Sequence, residues 1–190
     1  MVRETRELLL DAAETAVRTR GYTDFSFADL SKAVGIRKAS IHYHFPTKSD
    51  LSLELMCRYT SQMDQARLKI DAKQQTAGVR LDAMIRHYRA ALHNGAQVCL
   101  CVSMTLSLES LTEPVRRKVA AFREAMILWL TDVFAAGRAD GSIGGTTDVE
   151  ADARATLALL EGAHLAARTV GNAQSFDLAL SALRARIAET

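Results

Sequence analysis

Residues 26–48 read SFADLSKAVGIRKASIHYHFPTK. Ser26 is followed three residues later by Asp29, a capping-box pattern that predicts the start of a helix. Gly35 suits the left-handed residue that commonly ends a helix. The apolar residues between these two signals share one helical face, and they are Phe27, Leu30 and Val34. The stretch therefore opens with a short helix that stops at a glycine turn.

A second short helix has to fit between Ile36 and Pro46, because proline lacks an amide donor and disfavours helix at the preceding residue. Ile41 is its apolar position. Thr47 begins another capping pattern, TKSD, and predicts a longer helix over residues 47–70. Two short helices joined by a tight turn form a helix-turn-helix, a motif whose second helix lies in the DNA major groove.

The rest of the chain also carries helical patterns. A first helix is predicted to end at Gly21, and residues 102–108 alternate apolar and polar positions as a strand would. Because no partner strand is evident, we predict a buried helix there instead. The further predicted helices span residues 81–92, 114–133, 148–170 and 176–188. The fold class is therefore all-α, with an N-terminal three-helix domain at 1–46 and a larger helical domain at 47–190.

Charge is distributed unevenly along this chain. The net charge is only +2, so the protein as a whole does not indicate a nucleic-acid partner. No acid lies between Asp29 and Asp50, however. The cations in that interval are Lys32, Arg37, Lys38 and Lys48. We therefore expect a local basic patch on the helix-turn-helix.

Several classes of function are disfavoured by the sequence. No long apolar run is present and the first residues carry acids, so we expect a cytoplasmic protein without a membrane partner. No G-x-S-x-G, P-loop or H-E-x-x-H pattern occurs, which argues against an enzyme. His93, Cys99 and Cys101 lack the paired spacing of a zinc site, so we expect no metal and no cofactor.

Residues 21–34, GYTDFSFADLSKAV, and 35–51, GIRKASIHYHFPTKSDL, resemble the helix-turn-helix of the TetR/AcrR family of transcriptional regulators. The resemblance covers about residues 3–60. It implies a dimeric regulator, usually a repressor, that binds double-stranded operator DNA through a helix-turn-helix at about Ser26 to Phe45. It also implies a C-terminal domain for ligand binding and dimerisation.

The same resemblance assigns roles to individual side chains. Arg37 and Lys38 are placed to reach groove edges or phosphates. His42, which is expected to contact a phosphate or a base, stands where the family usually has tyrosine. The residues placed to hold backbone phosphates are Ser40, Tyr43, His44 and Lys48. The alternative function is a helical protein–protein adaptor that uses the same surface without binding DNA.

The inducer and the dimer interface are less sharply defined. QVCLCVSM, residues 97–104, is similar to the helix that carries the sensor cysteine in TetR regulators of electrophiles, which makes Cys99 or Cys101 a candidate sensor. The candidate lining of an apolar inducer pocket is Met104, Phe122, Met126, Trp129 and His164. The predicted dimer interface lies on the last two long helices. It uses small residues that allow close approach, and the alternative is that they pack inside the monomer: Gly162, Ala163, Ala166 and Ala167.

Overall fold

The computed structural model describes residues 4–73 and 75–188. Within these residues the chain is helical, and the predicted all-α class is confirmed. The helices are α1 (Thr5–Arg20), α2 (Phe27–Val34), α3 (Lys38–His44), α4 (Lys48–Asp71), α5 (Ala77–Ala90), α6 (Leu100–Thr105), α7 (Glu113–Asp140), α8 (Val149–Val170), α9 (Gln174–Ala179) and α10 (Ser181–Arg184). A 3-10 turn covers Leu108–Ser110, and an isolated antiparallel bridge joins Ile143 to Ile187.

The described residues form two compact units. The first runs as far as Ser61 and also contains Leu100–Ala121, and the second contains Gln62–Cys99 and the residues from Phe122 onward. Helices α4 and α7 each supply residues to both units. The sequence did not predict that α6 and the start of α7 would belong to the N-terminal unit.

The first unit is built on α1, whose inner face is fully buried at Leu9, Ala13 and Val17. That helix ends at Gly21, as predicted, where the backbone takes a φ of 101°. Such a positive φ favours glycine because other residues would clash there. Ser103 of α6 donates its hydroxyl to the carbonyl of Val17 at 2.6 Å, which attaches α6 to the end of α1.

The prediction of a buried helix at residues 102–108 is confirmed only in part. Helix α6 ends at Thr105, and Leu106 beyond it is 69% exposed. Thr105 donates its hydroxyl to the carbonyl of Cys101 four residues earlier, as helical Thr can, whereas Ser103 donates to the distant Val17. The apolar residues after Thr105 were wrongly placed in the core, because an alternating pattern does not say where the buried segment stops.

The second unit packs α5, the C-terminal half of α7, and α8 around residues such as Met84, Phe134 and Leu160, which are fully buried. The predicted break after α5 is confirmed, since His93, Asn94 and Gly95 all have positive φ. A Cβ at Gly95 would lie 2.7 Å from the backbone nitrogen of Asn172, so no larger residue fits without a backbone shift.

The prediction of one helix over 176–188 is wrong. Two short helices, α9 and α10, replace it, and Leu180 lies between them with φ −88° and ψ −2°. After α10 the chain turns, and Ile187 then forms a bridge with Ile143 while Ala188 donates its N–H to the carbonyl of Ser142. Only α8 of the two predicted C-terminal helices is therefore long. Among the described residues, no helix is long and apolar enough to cross a membrane.

Candidate nucleic-acid interface

The start of α2 is fixed by the predicted capping box. Ser26 Oγ accepts the N–H of Asp29 at 3.3 Å, and Asp29 Oδ2 accepts the N–H of Ser26 at 2.8 Å and its hydroxyl at 2.7 Å. The hydroxyl bond from Ser26, followed by the backbone bond, lowers the pKa of Asp29. These reciprocal bonds satisfy amides that a helix start would otherwise leave without partners.

The turn between α2 and α3 also follows its sequence signal. Gly35 adopts a φ of 74°, the left-handed conformation predicted for it. Ser31 donates its hydroxyl to the carbonyl of Ile36 across the turn. The turn is therefore closed by both backbone conformation and a side-chain hydrogen bond, and it sets the direction of α3.

Helix α3 has one buried side chain and several exposed ones. Ile41 is fully buried, as predicted, while Tyr43 is 85% exposed. His44 is half-buried. The exposed polar residues on α3 and just before it are Arg37, Lys38, Ser40, His42 and Tyr43. Helix α3 thus offers cations, a hydroxyl, a phenol and imidazoles to a partner.

A shallow groove of about 450 Å³ runs beside α3. It is lined by Ile36 and Ala39, and also by Thr5 of α1. The remaining lining residues are Ser40, Tyr43 and His44. Sequence reasoning missed Thr5, because no local pattern indicates that the start of α1 lies against α3.

The two cations next to the turn are available to a partner. Arg37 and Lys38 are both exposed, and neither has an ion pair in the part of the chain that the structure describes. Cations of this kind suit DNA phosphates, and arginine can also bond guanine in the major groove. Their predicted DNA contacts remain predictions that this geometry supports.

His42 is held by two contacts. Its Nδ1 lies 3.1 Å from the carbonyl oxygen of Pro46, and its ring meets the ring of Phe27 edge-on at 5.0 Å. Phe27 is the first residue of α2, and Pro46 lies two residues beyond the end of α3, so the imidazole connects the start of one helix of the motif to the segment after the other.

Lys48, predicted to hold a phosphate, is already engaged within the first unit. Its ammonium donates to the carbonyls of Tyr22 at 2.6 Å and Phe25 at 2.8 Å, and it lies 4.5 and 4.2 Å from the centres of their rings. Burial lowers the pKa of Lys48, against the opposing charges of Asp24 and Asp29. The ammonium has three donors, so one remains for a phosphate after these two bonds.

The candidate thiol sensors are buried. Cys99 is 1% exposed and lies in the second unit, while Cys101 is 0% exposed and lies in the first. Cys57, on α4, is partly exposed. Neither candidate sensor thiol is therefore accessible in this conformation.

The candidate pocket residues are also core residues. Met104 is buried in the first unit, whereas Phe122, Met126, Trp129 and His164 are buried in the second. Trp129 donates its indole N–H to Asp71 at 3.0 Å. An inducer pocket at these positions remains a prediction.

His164 occupies a fully buried position with both ring nitrogens bonded. Its Nδ1 accepts the backbone N–H of Cys99 at 2.9 Å, and its Nε2 lies 3.0 Å from the carbonyl of Tyr88. Because a carbonyl only accepts, the proton sits on Nε2. The rings of Tyr88 and Phe176 each meet the imidazole edge-on at 5.6 Å. His164 thus links α8 to the end of α5 and to the residue before α6.

Only some of the small residues on α8 suit the predicted interface. Ala163 and Ala167 are buried inside their own unit, so their assignment to a dimer surface is wrong. Helical spacing places the other two small residues, Gly162 and Ala166, on the outward side of α8. The exposed residues on that face include Gly162, Leu165, Ala166 and Val170. A Cβ on Gly162 would meet no atom within 4 Å, so this side of α8 is open.

These features define a class of protein with a helix-turn-helix whose second helix is polar and exposed, joined to a larger helical region. Two family models match the chain: the model for bacterial regulatory proteins of the tetR family at residues 9–55, and the C-terminal domain model described as tetracyclin repressor-like at residues 77–183. The chain belongs to the TetR family of transcriptional regulators.

Curated relatives match the N-terminal part. The regulator AcrR of Shigella flexneri is 33% identical over 70 residues, which is 37% of this chain and 33% of AcrR. The regulator EthR of Mycobacterium tuberculosis is 36% identical over 64 residues, which is 33% of this chain and 30% of EthR. The chain therefore spans about a third of the length of these relatives.

Solved structures match over nearly the whole chain. A TetR-family regulator from Agrobacterium tumefaciens is 32% identical, with a TM-score of 0.90 and coverage of 97% of both chains. A TetR regulator from Legionella pneumophila is 25% identical, with a TM-score of 0.84 and coverage of 98% of this chain and 99% of that one. NemR of E. coli in its reduced form, at 22% identity and a TM-score of 0.81 over 97% of this chain and 98% of NemR, shares the fold.

Proposed function

We propose that this protein is a dimeric repressor that places α3 of each protomer in the major groove of operator DNA. The observation that carries the proposal is the exposed polar face of α3 around a single buried residue, Ile41. Cations and hydroxyls suit phosphate oxygens, and side-chain donors and acceptors suit base edges. A protein–protein adaptor would instead favour an apolar groove or patch at this position.

Two copies of the motif are needed for useful affinity, because one seven-residue helix makes few phosphate contacts. Half-sites would then lie about 34–36 Å apart, one helical turn of DNA or a multiple of it. We place the dimer interface on the exposed face of α8, because its small and apolar side chains permit close approach of a second copy. The exposed residues used for this are Gly162, Leu165, Ala166 and Val170.

Release from the operator requires a ligand that favours one conformation over another. The second unit buries Phe122, Met126 and Trp129, and adaptable methionine next to aromatic rings suits an apolar inducer. Cysteine modification has less support, because a reactive thiol needs solvent access and both Cys99 and Cys101 are buried. We therefore favour a small apolar inducer.

The central test is selection of bound sequences from random DNA duplexes by the intact protein, followed by anisotropy titrations of the enriched duplex. We expect an inverted repeat, and we expect Tyr43→Ala to weaken its binding without lowering the melting temperature. Arg117→Ala is the control, because Arg117 is exposed on α7 of the same unit. Failure to enrich any sequence, or equal effects of the two variants, would contradict the proposal.

The choice of inducer chemistry has its own test. The operator complex is treated with an electrophile or an oxidant, using wild type and a variant with both Cys99 and Cys101 replaced by serine. We expect wild type to stay bound. Release of wild type alone would instead favour a thiol sensor over an apolar inducer.

A further inference from the structure

The hydrogen bond between His42 and Pro46 determines where the imidazole carries its proton. His42 Nδ1 lies 3.1 Å from the carbonyl oxygen of Pro46. A carbonyl oxygen has no proton to donate, so the bond requires the hydrogen to be on Nδ1. The edge contact with Phe27, at 5.0 Å and 64° between ring planes, restrains the same ring from α2. Orientation and tautomer are thus both set inside the motif.

The second ring nitrogen then has a defined role. A neutral imidazole with its hydrogen on Nδ1 has a lone pair on Nε2, which can only accept a hydrogen bond. His42 is exposed, and Nε2 has no hydrogen-bond partner in residues 4–73 and 75–188. It follows the buried Ile41 and precedes the exposed Tyr43. The exposed side of α3 therefore includes a pre-oriented acceptor.

In its neutral form, an imidazole with this tautomer cannot donate a hydrogen bond from Nε2 to a phosphate. A phosphate oxygen also lacks a proton, so it would repel the lone pair of Nε2. Tyrosine, the usual family residue at this position, has a phenol that can donate to phosphate, and His42 in this tautomer does not. In the major groove, the groups that can donate to Nε2 are the exocyclic amines of adenine N6 and cytosine N4.

We propose that His42 reads a base through its amino group, adenine N6 or cytosine N4, by way of Nε2, and does not hold a backbone phosphate. The proposal rests on the proposed function, since it assumes that α3 lies in the major groove. It makes His42 a determinant of sequence preference, whereas phosphate contacts carry no sequence information directly.

The test removes one amino group at a time from the selected operator. Each adenine is replaced by purine, which lacks the N6 amine, and each cytosine by pyrimidin-2-one, which lacks the N4 amine. Binding is measured at about pH 8. At one position in each half-site we expect wild-type affinity to fall by about three- to tenfold, the effect of one hydrogen bond. Whether that position is an adenine or a cytosine identifies the base.

His42→Asn is the matched variant, because its amide can still donate to Pro46 while no atom replaces Nε2. At the sensitive position this variant should bind the normal and modified duplexes equally. At every other position it should behave like wild type, which also shows that the motif is folded. The comparison of both proteins on both duplexes isolates the contact from any weakening of the base pair itself.

Two results would overturn the proposal. The first is that every loss caused by amine removal is the same in wild type and in His42→Asn. The second is that replacing one phosphate by a neutral methylphosphonate weakens wild type but not His42→Asn, since that would identify a phosphate contact. If selection enriches no duplex, the proposed function itself fails, whereas an enriched duplex with either of these two results removes only the role of His42.

Discussion

Helices α3 and α8 each expose one face, but the chemistry of the two faces is opposite. Helix α3 buries Ile41 and exposes polar side chains, whereas α8 buries apolar residues such as Leu160 together with the polar His164, and exposes Leu165 and Val170. A polar face with cations suits a charged polymer, and a face of small and apolar residues suits another protein surface. The residues that a helix buries therefore do not indicate what kind of partner binds its exposed face.

The histidines of the two helices, His42 on α3 and His164 on α8, show the same contrast. His164 has both nitrogens bonded to backbone groups and is fully buried, so its ring chemistry is used entirely in holding the second unit together. His42 uses one nitrogen to fix its own orientation and keeps the other for a partner. Burial decides which of the two imidazoles can contribute to recognition.

The largest expected effect comes from the outer face of α8. Ala166→Glu places a charge on the proposed dimer surface, so we expect a monomer by analytical ultracentrifugation. Operator affinity should then fall by about a hundred- to ten-thousandfold, because the second α3 no longer binds as part of the same molecule. Ala139→Glu, at an exposed position of α7 in the same unit, is the control and should remain dimeric. A dimeric Ala166→Glu protein would place the interface elsewhere.

The inner face of α8 gives the next largest effect. His164→Leu removes the partner of the Cys99 N–H and the Tyr88 carbonyl in a buried site, so we expect a loss of about 3 kcal/mol in the free energy of unfolding. Urea denaturation measures it. Tyr43→Leu, at an exposed position of α3, is the control and should change stability by less than about 0.5 kcal/mol, as substitutions at the surface usually do. Equal losses would mean that the bonds of His164 contribute little.

Lys48 tests whether a residue of the DNA-binding unit also supports its fold. Lys48→Met keeps the apolar stem but removes the bonds to the carbonyls of Tyr22 and Phe25. We expect about 2 kcal/mol lower stability, together with weaker operator binding at temperatures where the variant is folded. Lys38→Met, which removes a cation that has no ion pair among the described residues, should leave the unfolding free energy unchanged. An unaltered urea midpoint for Lys48→Met would show that its bonds to Tyr22 and Phe25 contribute little to stability.

Local patterns account for the parts of the motif that were predicted well. The capping box at Ser26, the left-handed Gly35 and the buried Ile41 each depend on residues only a few positions away, so the sequence carries their cause. The bonds of Lys48 to residues 23 and 26 positions earlier, and of Ser103 to Val17, depend on packing of distant segments. No local spacing could reveal them.

The small residues of α8 show a different limit. The sequence identifies Gly162, Ala163, Ala166 and Ala167 as small, but size alone does not say which side of the helix meets the rest of the chain. The structure buries Ala163 and Ala167 and exposes the other two. Which pair can form an interface is decided by where the neighbouring helices pack.

A smaller effect is expected for one cation on α3. Lys38→Ala should weaken operator binding by roughly 1 kcal/mol, and the slope of log affinity against log salt should flatten by about 0.9 if Lys38 neutralises one phosphate. Titrations at several salt concentrations measure both quantities. Lys69→Ala, at an exposed position near the end of α4, is the control. A change in affinity with an unchanged salt slope would assign Lys38 to a base edge.

The smallest expected effect concerns the start of α8. Asp152 accepts bonds from Arg186 at 2.7 and 2.8 Å, and this interaction lowers the pKa of Asp152 below its ordinary value of 3.8. Its contribution is therefore fully present above that value and is lost as the pH falls through the lower folded pKa. Asp152→Asn should cost up to about 1 kcal/mol at neutral pH and progressively less in acid. Urea denaturation across acidic pH measures this, with the exposed Glu150→Gln as control. A cost for Asp152→Asn that does not change with pH would show that packing, and not charge, stabilises this end of α8.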